Sequence, residues 1–168
     1  MKKIIALILA AVMILAVVSC GKSSKEKTTA DMTLPQIINK IYKIYPVKIS
    51  VSTTEYDLGN AEYLKYAIGL KSVDKVSEGY ASSPKMSSQA YELALVRVKD
   101  AADAEAVARE ILEGADPGKW ICVFAESVQV AVSGDVIMLV MSSKDEASGL
   151  IDAFKTVCGG ELDLVLGK

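Results

Sequence analysis

The stretch SVQVAVSGDVIMLVMSS, Ser127 to Ser143, decides the fold. Val128, Val130 and Val132 alternate with Gln129 and Ala131, the period-two pattern of a half-buried strand. Ser133-Gly134-Asp135 brings turn residues. Val136 to Met141 is then an unbroken apolar run, which predicts a strand covered on both faces. Two such strands across a tight turn predict an antiparallel hairpin.

Working outward, Ser143 to Glu146 has the S-x-x-E spacing of a capping box. Ala147, Leu150, Ile151, Phe154 and Cys158 recur on one helical stripe, closed by Gly159-Gly160. Upstream, AYELALVRVKD (residues 90–100) sets Tyr91, Leu93 and Leu95 against Ala94, Val96 and Val98, a strand pattern. Asp100 can cap the helix that follows, with Ala104, Val107, Ala108, Ile111 and Leu112 on its apolar stripe. Glu105 and Arg109 form a favourable i,i+4 pair, and Gly114 and Pro117 end the helix. Trp120 to Ala125 fits either a strand or a short buried segment.

Nearer the N-terminus, Thr33 to Gln36 is a T-x-x-Q capping box with Pro35 in the first turn. Leu34, Ile37, Ile38, Ile41, Tyr42 and Tyr45 predict a helix that stops before Pro46. VKISVSTTEYDLGN (residues 47–60) is polar and partly β-branched, with a turn at Gly59-Asn60. Ala61 to Leu70 reads as a short helix ending near Gly69. Val73 to Ala81 reads as an irregular strand before a Ser/Pro turn. The order α-α-β-β-α-β-β-α predicts an α+β two-layer sandwich, an antiparallel sheet of about four strands with helices packed on it.

The first thirty residues set the expected location. Met1-Lys2-Lys3 precedes an apolar run from Ile4 to Val18, 15 residues long. That has the form of a secretory signal and is shorter than the roughly 20 residues a membrane span needs. Val17-Val18-Ser19-Cys20-Gly21 resembles a bacterial lipobox, which implies that the Cys20 thiol receives a diacylglyceryl group and becomes the mature N-terminus. One acyl chain holds a protein only marginally, at about 0.8 kcal/mol per buried CH₂, so two chains on one cysteine make a durable anchor. GKSSKEKTTA (residues 21–30) reads as a flexible polar tether. The division is therefore a signal peptide at 1–19, acylated cysteine and tether at 20–30, and a single extracytoplasmic α+β domain at 31–168.

Composition narrows the function classes. Lysine and arginine number 19 against 21 acids, net −2. No basic patch stands out, which argues against a nucleic-acid partner. Histidine is absent, and with it the commonest general base and metal ligand. Cys122 and Cys158 have no C-x-x-C spacing. They are a disulfide or two buried thiols in preference to a nucleophile, since no histidine is present to activate a thiolate. Glu126 and Asp135 stand at opposite ends of one strand, too far apart for a two-carboxylate mechanism, and read as solvated. No G-x-S-x-G elbow and no S-x-x-K motif with its companions is present.

Together with the lipobox at Cys20, SSPKMSSQAYELALVRVKDAADAEAVAREIL (residues 82–112) and the VAVSGDVIMLVMSS hairpin with its following helix resemble bacterial lipoproteins that carry a domain of unknown function (number 4358). The resemblance covers most of residues 61–154 and implies no activity and no functional residue beyond the acylated Cys20. In EGYASSPKMSSQAY (residues 78–91), Tyr80, Pro84, Met86 and Tyr91 interrupt a run of serines, a candidate contact surface, since aromatics and Met are enriched at interfaces and loops carry function. The expectation is a lipid-anchored binding or structural module of the cell envelope. It would need no cofactor, and its partner would be an envelope protein or surface ligand. The alternative is a cell-surface hydrolase using Ser and carboxylates.

Overall fold

A computed structural model describes residues 29–86 and 88–168. The expected signal peptide and Cys20 lie outside the described residues. Thr29, which the sequence places in the tether, is already buried, and its carbonyl accepts the Met32 amide at 3.1 Å.

The elements are α1 (Leu34–Ile44), β1 (Val51–Glu55), α2 (Ala61–Ile68), β2 (Val76–Pro84), β3 (Glu92–Val98), a 3-10 turn (Ala101–Asp103), α3 (Ala104–Gly114), β4 (Ser127–Ser133), β5 (Val136–Ser142), α4 (Lys144–Val157) and β6 (Leu164–Gly167). The strands form one antiparallel sheet in the order β1-β2-β3-β5-β4-β6. The class is α+β, with six strands rather than about four. The two additions are the edges. In β1, Ser52 to Glu55 are all exposed, so no alternation marks the strand. β6 has only four residues.

The layering also departs from the expected two. Ala94, Val96 and Val98 of β3 pack with Ile137, Leu139 and Met141 of β5 beneath α2 and α3. Leu93 and Leu95 pack with Val136, Met138 and Val140 beneath α1 and α4. The sheet is therefore the middle of three layers. The unbroken apolar run in β5 requires this, because its side chains alternate between two dry faces.

Local signals act as their chemistry dictates. Gln36 Oε1 accepts the Thr33 amide at 3.0 Å. Asp100 accepts from Ala102 N at 2.9 Å and opens the 3-10 turn. Ser143 accepts from Glu146 N at 3.4 Å, but the Glu146 carboxylate takes the Ser142 hydroxyl rather than closing the box. In the hairpin, Gly134 turns the chain at φ 63, a conformation that two-residue turns require and a Cβ resists.

β3 runs from Glu92, opposite Met141, to Arg97, opposite Val136, which defines two ends of the sheet. At the Arg97 end, Arg97 donates to Glu78 at 2.8 Å, to Asp135 at 2.7 Å and to the Met32 carbonyl at 2.7 Å. Asp135 is thus an ion-pair partner rather than a solvated strand end. The chain enters the domain at this end. Among the described residues no helix is long and apolar enough to cross a membrane.

Among the described residues the buried Ser133 hydroxyl has no hydrogen-bond partner. Removing an orphaned polar group relieves its desolvation cost, about 1 kcal/mol. Ser133→Ala is therefore expected to raise the melting temperature by about 2–4 °C. A drop of several degrees in calorimetry would show that the hydroxyl has a partner after all.

Candidate functional site

Polar side chains enter the core at the Glu92 end of the sheet. Consecutive residues point to opposite faces, so Ser82-Ser83 on β2 and Tyr91-Glu92 on β3 each supply one polar group to each layer. Beneath α1 and α4, the Tyr42 hydroxyl donates to Ser82 at 2.7 Å and lies 2.8 Å from the Tyr91 hydroxyl. Burial raises the pKa of Tyr91, reinforced by its neighbour Tyr42, and burial raises that of Tyr42 as well.

Beneath α2 and α3 lies a buried ion pair. Lys119 Nζ is 3.1 Å from Glu92 Oε2, and each side chain is 6% exposed. Glu92 Oε1 accepts from Ser83 at 2.9 Å and from the Tyr56 hydroxyl at 3.3 Å. Burial, then the Glu92 carboxylate, pushes the Tyr56 hydroxyl well above its ordinary range, so it stays a proton donor. Lys119 also donates to the Ala67 carbonyl at 2.6 Å and sits 5.1 Å from the Trp120 ring centre. Both charges are thus matched by named partners, the condition for keeping an ion pair in a core.

Lys119 belongs to the connection from Ala115 to Glu126, which is neither of the alternatives open from sequence, strand or buried segment. It is an irregular loop closed on itself, with Ala125 N donating to Pro117 O at 2.9 Å and Gly118 N to Asp116 Oδ1 at 2.8 Å. The Tyr66 hydroxyl on α2 fastens its middle by donating to the Lys119 carbonyl at 2.7 Å. The Phe124 ring lies so close to Gly118 that a Cβ there would come within 2.7 Å of it. The lysine points in and the tip points out, with Ile121 83% and Phe124 72% exposed. Cys122 between them holds φ 63, left-handed backbone of the kind found at functional loops, at a cost of about 1–3 kcal/mol. Tyr63 and Tyr66 are exposed on α2 beside this loop, and Met86 is exposed in the β2–β3 connection at the same end.

The contact surface expected from sequence is only partly assembled. Met86 is exposed, Tyr80 and Pro84 are half-buried, and Tyr91 is 1% exposed. Tyr91 is a core residue, because its side chain shares the face of Leu93 and Leu95. Cys122 is on the loop and Cys158 is buried at the end of α4, on the other side of the sheet, and no disulfide joins them. Glu126 accepts the Lys144 amide at 3.4 Å. Ser83 and Glu92 are the serine–carboxylate contact nearest the hydrolase alternative. There Ser83 donates to a carboxylate that Tyr56 and Lys119 also contact. Sequence reading missed Lys119, Tyr63, Tyr66, Ile121 and Phe124. The apolar run WICVF (residues 120–124) reads as strand or buried segment, and nothing in it or in α2 announces that Ile121, Phe124, Tyr63 and Tyr66 stand in solvent.

Comparison with known proteins finds no matching family model, no similar curated protein and no matching solved structure.

Lys119→Ala leaves Glu92 buried and unpaired, and is expected to cost about 3–5 kcal/mol in denaturant unfolding. Glu92→Gln combined with Lys119→Met should recover most of that loss, while hydrogen exchange in residues 115–126 stays fast in both. Equal losses in the single and double variants would mean that the cost does not come from an uncompensated Glu92 charge. Tyr42, Tyr56 and Tyr91 are kept neutral by the fold but ionise near pH 10 when unfolded. Their contribution is complete below about pH 10 and falls as pH rises above it. Tyrosinate absorbance from these residues should therefore emerge together with loss of near-UV circular dichroism, and Tyr91→Phe should make the alkaline transition shallower.

Proposed function

We propose that the chain is a lipid-anchored extracytoplasmic lipoprotein whose domain is a binding module of the cell envelope. The observation that carries the binding half is the pinned loop, which holds Ile121 and Phe124 in water beside Tyr63 and Tyr66. Keeping large apolar side chains exposed on an ordered loop has no value to the fold itself, and such patches mark contact sites. The anchoring half rests on the sequence, namely the lysines at 2 and 3, the apolar run, the lipobox-like residues before Cys20 and the polar stretch behind it. Membership of the lipoproteins with the domain of unknown function (number 4358) belongs to the same proposal and rests on the same residues. The partner is an envelope protein or surface ligand with an apolar contact face. Binding is preferred to hydrolysis because the loop tip presents Ile121 and Phe124 to solvent, whereas the Ser83–Glu92 pair is bound inward.

Two measurements test the two halves. Mass spectrometry of the mature N-terminal peptide should show Cys20 thioether-linked to diacylglycerol, and an unmodified Cys20 ends the anchoring half. Crosslinking on intact cells should capture a discrete partner with the wild-type chain and lose it with Ile121→Ser combined with Phe124→Ser, at unchanged melting temperature. Capture that survives both substitutions overturns the assignment of the loop as the contact surface.

A further inference from the structure

The outer face of α1 presents basic and amide side chains with no acid among them. Gln36, Asn39, Lys40 and Lys43 are all exposed, and with Met32 they line a shallow groove of about 400 Å³. The helix carries no acid in its sequence, LPQIINKIYKI. Elsewhere Lys71 pairs with Glu113 and Lys75 with Asp103. Among the described residues no carboxylate pairs with Lys40 or Lys43. Ile44, on the last turn of α1, is exposed. The adjoining helix α4 exposes Lys144, Asp145, Asp152 and Lys155, which cancel, and Asp31 is the acid just ahead of α1.

The groove opens where the chain enters the domain. Met32 lines it, and the Met32 carbonyl is held by Arg97. Lys22, Lys25 and Lys27 precede it in the sequence, with Glu26 among them. Two ammonium groups and two amide side chains in a shallow, open groove suit a phosphodiester, and one exposed Ile on the same helix suits the interfacial layer of a bilayer. α1 lies on the opposite face of the sheet from α2, which bears Tyr63 and Tyr66.

We infer that the outer face of α1 docks on anionic phospholipid headgroups of the membrane that holds the chain, and that this docking turns Tyr63, Tyr66 and the Ile121–Phe124 loop away from the bilayer. The inference rests on the membrane-anchored reading above and adds to it an orientation. A lipid link alone fixes distance from the membrane, not attitude.

The test is amine-reactive footprinting of the full chain reconstituted in vesicles of phosphatidylcholine alone or of phosphatidylcholine mixed with phosphatidylglycerol. Lys40 and Lys43 should label about fivefold more slowly on the anionic vesicles, the factor expected for one cation near such a surface. Lys65 on α2 should label equally on both, and high salt should abolish the difference. Gln36→Glu with Asn39→Glu keeps both lysines but cancels the local charge, and should remove the protection without changing the melting temperature. Equal labelling on the two vesicles overturns the inference. So does equal slowing on phosphatidylcholine alone, which would mean apolar insertion without headgroup recognition. Slowing by dissolved glycerol phosphate in the absence of anionic lipid would make the groove a site for a free phosphate, and overturns docking too. The footprint reads attitude whether the chain is held by acyl groups or by its apolar segment, so the Cys20 mass measurement fails independently of it.

Discussion

Strands β3 and β5 lie side by side at the middle of the sheet, and both bury side chains above and below. A strand in that position cannot be stable until two separate helix layers are in place, because each uncovered face would leave Leu, Val, Ile and Met in water at roughly 25 cal/mol for every Å² exposed. The four helices divide accordingly, α1 with α4 on one face and α2 with α3 on the other. The outer strands need less. β1 and β6 cover the flanks of the inner four and carry largely exposed residues.

The central pairing also explains where polar groups are tolerated. Through most of its length, β3 offers only apolar side chains to both layers. At its first residue, and at Tyr91 just before it, hydroxyls and a carboxylate enter from both sides, and each finds partners from elements distant in sequence. Glu92 meets Lys119 from the loop after α3, and Tyr91 meets Tyr42 from α1. That end of the sheet is accordingly where long connections converge and where the largest apolar side chains stand in solvent.

The middle of this architecture was legible in the sequence and its margins were not. The opposition of Tyr91, Leu93 and Leu95 to Ala94, Val96 and Val98 names the two faces of β3 correctly, and the run from Val136 to Met141 implies two covering layers. A two-layer expectation underused that run. β1 escaped notice because Ser52, Thr53, Thr54 and Glu55 all face water, and periodicity exists only where one side is dry. The loop site was harder still. The partners Glu92 and Lys119 are 27 residues apart, and no local pattern announces that a lysine will turn inward. Tyr91 misled for a related reason. Composition suggested a contact aromatic, whereas its place in the strand made it core.

The back-to-back arrangement of Ser82-Ser83 and Tyr91-Glu92 has a consequence for how strictly β3 must align. A slip by one position would send every side chain of the strand to the other face. In an all-apolar strand sandwiched between two greasy layers, such an error is mild, since Leu and Val suit either side. Here it would drive the Glu92 carboxylate among Leu34, Phe154 and their neighbours, with Lys119 stranded on the far side of the sheet. One charged residue thereby acts as a proofreading mark on an otherwise ambiguous strand, making the correct alignment the one in which no charge is left alone.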